Sequence, residues 1–276
     1  MSHTPLITRI NELPRIQKVL QELLDMVNQE EVDFSSLSEK ISMDQVLSAR
    51  LLRLANSAHF GASKSVSSVN EALIRVGTGP VRTLVVASVL SGVFDNVPTL
   101  DMNEYWCDTF EVSVIASKLA DKTGLDGNEV FTIGVLHNIG ELMIHTLVPE
   151  QAQQIVEKVN QGENVFDAQE ETLDVSAPTL GARLAKNWNF PAEMVDAIAH
   201  FHQPREAELS PKLAVILHFA HSIHNNWESM DTESQKSDYI EKHPDSRLLS
   251  IPAEFAHIID QSVGDGKELA SQLLSN

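Results

Sequence analysis

Histidine is the residue type in this chain best able to do chemistry. Of its eleven histidines, five (His200, His202, His218, His221 and His224) fall within 25 residues. His218, His221 and His224 are spaced by three, so adjacent members share a helix face while the outer pair drifts round it. His200 and His202 point in different directions if they lie on one helix. Imidazoles brought together in this way can hold zinc, nickel or iron. The alternative is that some are solvated and the others hydrogen-bonded. His137 stands apart, in the run Gly134-Val135-Leu136-His137-Asn138-Ile139-Gly140, where two glycines bracket an imidazole and a side-chain amide.

Other chemistries find little footing. The chain has no Gly-x-Ser-x-Gly elbow, no Gly-x-x-x-x-Gly-Lys phosphate loop and no Cys-x-x-Cys pair. Gly77-Thr78-Gly79-Pro80 could in principle bind an anion at a helix start, but a lone Gly-x-Gly without a preceding strand is a weak signal, and a turn between helices is the better explanation. Cys107 is the only cysteine, so no intrachain disulfide forms, and its neighbours Trp106 and Phe110 suggest a packed thiol. The balance of 39 acidic to 20 basic side chains, a formal charge of −19, argues against nucleic acid or an anionic membrane as partner. No signal peptide is evident, and the most apolar run, Leu84–Leu90, is too short to span a bilayer. A reducing, cytoplasmic setting is expected.

The elements that must position these residues read as helices throughout. Leu13, Ile16, Leu20, Leu23, Leu24 and Val27 recur at helical spacing, and Val46, Leu47, Leu51, Leu54 and Ala55 continue it. Ser36 with Glu39 and Ser68 with Glu71 form capping-box patterns, the second before a helix stopping at Gly77 in a left-handed turn. Pro80 then opens a helix to about Phe94. The pattern breaks at Asn96-Val97-Pro98. A helix from about 102 to 122 ends at Gly124, and Asp126 with Glu129 caps the next, which carries His137 and Asn138. Further helices are predicted near 150–160, 178–188, 191–201 and 211–226, then a polar loop over 228–238 and tail helices around 252–263 and 266–274. This gives an N-terminal helical lobe (1–97), a second helical lobe (98–227) and a loop with a helical tail (228–276). The fold class is all-α.

Several segments, in order, carry a family resemblance. Arg50-Leu51-Leu52-Arg53-Leu54-Ala55-Asn56-Ser57-Ala58 resembles the Leu-Leu-x-x-Ala-Asn-Ser-Ala signature of the HDOD (HD-related output) domains of bacterial signalling proteins. Val66–Gly77 resembles the family's next segment. Trp106, the Gly134–Gly140 motif, Leu180-Gly181-Ala182 with Trp188 and Pro191, and His202-Gln203-Pro204 follow in the family's order, so that the likeness covers roughly residues 12–225. The resemblance implies a two-lobed, multi-helix fold around a degenerate core of the HD type, the core of the metal-dependent phosphohydrolases. Asn56 and Ser57 are expected mainly to close a helix end.

HD hydrolases resemble one another in holding one or two metals on histidines and aspartates, which activate water against a phosphoester. Set against that pattern, the first His position falls on Asp108, the His-Asp pair on His137-Asn138, the later Asp-His step on Ser176-Ala177, the His-His-x-Pro element on Phe201-His202-Gln203-Pro204, and the final Asp on His221. A neutral asparagine supplies no charge to bridge two metals, and phenylalanine and alanine cannot ligate. Asp108, His137, Asn138, Phe201, His202 and His221 are therefore read as a vestigial site with no catalytic residue and no expected metal or cofactor. Its fallback is a divalent transition metal held by Asp108, His137, His202 and His221. The resemblance implies a non-catalytic regulatory protein acting through a protein partner of a bacterial signalling pathway, with the old pocket a structural core or small-ligand sensor. The alternatives are a divergent phosphohydrolase and a metal or ligand sensor without turnover. Oligomeric state is not legible.

Overall fold

The computed structural model describes residues 6, 9, 12–13, 16–29, 31–57, 60, 65–94 and 97–274, and among these every regular element is a helix. The chain forms two compact units, Arg15–Asp95 with Lys267–Asn276, and Met1–Pro14 with Asn96–Gly266. Of the loop and helical tail read over 228–276, residues up to Gly266 pack with the unit that includes Asn96.

The smaller unit contains α1 (Lys18–Val27), α2 (Phe34–Ser42), α3 (Gln45–Ala55), α4 (Val69–Val76) and α5 (Thr78–Val93). Helix α5 is apolar around its whole circumference and largely buried, and α1 lays Leu20, Leu23, Leu24 and Val27 against it. Full burial of a leucine such as Leu23 contributes about 1.5–3 kcal/mol. Asn56 closes α3 as expected. Its side-chain amide donates to the Val66 carbonyl at 2.8 Å and its oxygen accepts the Val66 N–H at 2.7 Å, while the Ser57 hydroxyl returns to the Leu54 carbonyl.

Local capping corrects several expectations. Asp33, not Ser36, caps α2, accepting the N–H groups of Ser35 and Ser36. Ser68 does cap α4 through the Glu71 N–H. Gly77 has φ 79° and ψ 177°, a glycine-only extended conformation rather than a left-handed helix stop, and it joins α4 directly to α5, so Pro80 lies inside the first turn instead of opening it. Leu13 and Ile16 precede α1, and Val46 is solvent-exposed. Asp33 stands one residue before α2, where a side-chain oxygen reaches the free N–H groups, whereas Ser36 lies inside the first turn and its hydroxyl donates to Asp33.

The larger unit begins with α6 (Met102–Thr123), ended by Gly124 in a left-handed conformation, and α7 (Gly127–Leu136), capped by Asp126. The helix expected to carry His137 and Asn138 is interrupted there by a two-residue turn, and α8 (Ile139–Leu147) follows directly. Then follow α9 (Pro149–Asn160), α10 (Val165–Leu173), α11 (Ala177–Asn187), α12 (Ala192–His200), α13 (Pro211–Trp227), α14 (Glu233–Lys242), α15 (Pro244–Leu249) and α16 (Phe255–Ser262), with α17 (Asp265–Leu274) closing the described chain. Helices α10 and α15 have no counterpart in the sequence reading. Much of the polar stretch 228–238 is helical because Thr232 and Gln235 form a reciprocal capping box. Trp227 and Lys236 both donate to Asp260, fastening α13 and α14 to α16. The apolar stretch Gly127–Leu147 is long enough to cross a membrane, but 72% of it is buried against other helices.

Two glycines decide how these helices approach. A Cβ on Gly134 would lie 2.7 Å from the Ser113 Cα of α6, and one on Gly140 would lie 1.8 Å from the Ala177 carbonyl oxygen of α11. Both contacts are with backbone, which cannot swing aside. Gly140→Ala is expected to destabilise the protein by about 1–3 kcal/mol or more. Gly92→Ala, in α5, meets only Leu20 Cδ1 at 4.0 Å and should change stability by no more than about 1 kcal/mol, in the stabilising direction. Urea unfolding of both variants, followed by circular dichroism, checks the contrast.

Candidate functional site

A cleft of about 240 Å³ opens in the larger unit where α6, the α7–α8 break and α13 meet. Helix α6 supplies Tyr105 and Asp108 from one face. The break supplies His137, Asn138 and Glu141, α13 supplies His221 and His224, and Phe166, Ala177 and Phe201 close the far side. Of the six residues expected to share a site, Asp108, His137, Asn138, Phe201 and His221 come together.

His202 does not join them. Its ring packs against Phe166 at 5.0 Å, outside the walls of the cleft, and its Nδ1 is buried without a hydrogen bond. The rest of the histidine cluster is also dispersed. His200 is held by Asp196, and His218 pairs with Asp245. His224 replaces His202 in the cleft, with Nε2 3.4 Å from Asp108.

His137 is only 2% exposed, and its Nδ1 lies 2.5 Å from the Gly134 carbonyl of its own turn. That contact makes Nδ1 the donor and leaves Nε2 with a lone pair. The edges of Phe201 and His221 stand 5.3 and 5.9 Å away, centroid to centroid. Burial, and then the neighbouring His221, pushes His137 down to about 3. Burial, followed by His224 and His218, pushes His221 to about 4. Both rings are neutral at ordinary pH.

Asn138 breaks the helix and turns its side chain to α6. Its Oδ1 accepts the Tyr105 hydroxyl at 2.8 Å, and its Nδ2 donates to the Thr109 hydroxyl at 2.9 Å. Thr109 in turn donates to the Tyr105 carbonyl at 2.7 Å. The network needs one acceptor and one donor at position 138, which an amide supplies and a carboxylate does not. Burial, with the nearby Glu141 carboxyl, holds the Tyr105 phenol well above its ordinary value, so it remains a donor.

Glu141 is the residue sequence reasoning missed. It accepts no hydrogen bond among the described residues, burial raises its carboxyl above the usual range, and the nearest cation former, His145 Nε2, is 3.8 Å away. Its position one helical turn beyond Asn138 is the signal that could have found it. Tyr105 was likewise findable, four residues before Thr109 on the same face of α6.

The HDOD domain profile matches residues 13–204. The chain belongs to the HDOD family. Among similar structures, one named "Putative phosphohydrolase" from Shewanella amazonensis SB2B is 35% identical over 97% of each chain, with a TM-score of 0.84. An HDOD domain protein of unknown function from Geobacter sulfurreducens, 22% identical over 98% of each chain with a TM-score of 0.79, shares the fold. An uncharacterized protein of Treponema pallidum (strain Nichols) is 27% identical over 214 residues, and this chain spans 41% of that relative's length.

The metal centre of HD hydrolases does not fit the residues of this HDOD domain. Among the described residues, no three His, Cys, Asp or Glu side chains group closely enough to hold an ion. The Asn138 oxygen is committed to Tyr105, and Phe201 and Ala177 present carbon to the cleft. The fallback set of Asp108, His137, His202 and His221 is not assembled, because His202 lies behind Phe166.

Two outcomes follow. Asn138→Asp should cost about 1–3 kcal/mol at neutral pH, because it loses the donor to Thr109 and adds charge beside Glu141. The loss should shrink as pH falls and the new carboxyl protonates; pH-dependent urea unfolding of variant and parent checks it. An unfolded histidine titrates near 6.5, so His137 and His221 contribute stability that is complete above that pH and lost as pH falls toward 4. His137→Gln should reduce that slope by about 1.4 kcal/mol per pH unit, and NMR of the imidazole nitrogens should show His137 still neutral at pH 5.

Proposed function

We propose that this HDOD protein is a non-catalytic regulator that acts by binding a protein partner in a bacterial signalling pathway, its HD-derived cleft retained as a recognition site rather than a reaction centre. The observation that carries this reading is the state of Asn138. At the position where HD hydrolases bring a metal-bridging aspartate, this chain has an amide with both ends satisfied by α6. The residue works as a helix-to-helix tie. Water activation needs a Lewis acid or a general base poised over bound substrate, and the cleft presents no group of three ligands for the first.

A second reading, a divergent phosphohydrolase, draws on the name of the Shewanella amazonensis relative and on the carboxylates beside His137. One experiment separates the two. Purified protein is assayed against phosphomonoesters, phosphodiesters and cyclic dinucleotides with magnesium, manganese, zinc and iron supplied in turn. The regulator reading expects rates at the level of the blank for the parent and for Asn138→Asp. Turnover that Asn138→Ala or His137→Ala abolishes would overturn it.

A further inference from the structure

The smaller unit buries a positive charge that no carboxylate balances. Arg50, in α3, is 7% exposed, and its one hydrogen bond among the described residues runs from Nη1 to the Ser88 hydroxyl of α5 at 3.3 Å. Its Nε is enclosed and has no acceptor. Burial, followed by the positive charge of Arg53, lowers the Arg50 guanidinium from its ordinary value, and Asp44 offsets this only in part. Asp44 is itself occupied at the start of α3, where it accepts the Leu47 N–H. A buried guanidinium with donors left over is costly, and an apolar side chain of similar volume often serves a core as well or better. Packing alone does not call for an arginine at this position.

The surroundings of Arg50 suit an anion. Arg53 follows one turn later on the same side of α3, exposed to solvent, with Nη1 3.5 Å from the Gln272 carbonyl of α17. The Ser88 hydroxyl accepts from Arg50 and keeps a proton of its own to donate. Acidic and basic side chains nearly balance among the residues of the smaller unit, so the excess behind the formal charge of −19 lies in the larger one. An anion reaching α3 meets two guanidiniums without that excess around it.

We propose that Arg50 is the centre of a carboxylate-binding site, which the anion enters beside Arg53 and in which the two guanidiniums and the Ser88 hydroxyl hold it. The planar fork of a guanidinium matches the two oxygens of a carboxylate, and a single negative charge balances the one buried here. A small free carboxylate and an aspartate or glutamate side chain of a protein partner present the same group. The site belongs to the smaller unit and is independent of the cleft beside His137.

Sodium acetate and a tetraglutamate peptide are the probes, each set against sodium chloride at equal ionic strength on the full chain. At least one should raise Tm saturably and shift the Arg50 Nε–H resonance in the NMR spectrum. A response to acetate assigns the site to small anions; a response to the peptide alone assigns it to an acidic segment of a partner. Arg50→Met removes the charge at similar volume, so it should lose the shift while its own Tm in chloride stays level or rises. Arg53→Gln, at an exposed position, should fold and weaken binding several-fold, and with the Nε–H resonance of the parent it decides the matter even if Arg50→Met does not fold. No shift beyond that of chloride with either probe, a shift that survives Arg50→Met, or tighter binding of inorganic phosphate than of either carboxylate would each overturn the proposal.

Discussion

The larger unit depends on one backbone event, the break between α7 and α8 and the way it is held. The helix is interrupted at His137 and Asn138, and the Asn138 amide is tied to Tyr105 and Thr109 of α6. The turn is possible because Gly134 lets α7 lie against Ser113 and Gly140 lets α8 lie against the Ala177 carbonyl. Neither approach tolerates a Cβ, so the glycines, the amide and the break form one constraint. The cleft is the space that constraint leaves between α6, α8 and α13.

The same constraint sets the electrostatics. By fixing His137 with Nδ1 on Gly134, the turn decides the tautomer and directs the remaining acceptor at the cleft. By placing Glu141 one turn into α8, it puts a carboxyl where burial works against its charge. The outcome is a pocket of acceptors: neutral imidazoles, carboxyls and an amide whose donor is spent. A hydrolytic centre for phosphoesters needs the opposite, a concentration of positive charge that metals or basic side chains provide.

Much of this was legible from residue types alone. The all-α class, the core faces of α1 and α3, the Asp126 cap, the Gly124 stop and the ordered motifs of the HDOD family depend on local periodicity and on short runs, which a single chain displays. Asn138 was readable as a substitution that removes charge from an HD-type site. The helices over 165–173, 233–242 and 244–249 were not legible, because their sequences are polar and their stability comes from caps and from packing against α9, α13 and α16.

The sequence by itself determined which side chains were available: an amide for a carboxylate, a phenylalanine for a ligand, and a net excess of acid. The tertiary structure decided which of them meet. His202 lies within two residues of Phe201 yet is turned away behind Phe166, while His224, at the far end of a three-spaced series, reaches Asp108. Spacing along one helix fixes only the direction of a side chain about that helix axis. Which face is enclosed depends on how whole helices pack, and the approaches of α7 to α6 and of α8 to α11 are set by backbone contacts of Gly134 and Gly140 with Ser113 and Ala177, residues of other helices.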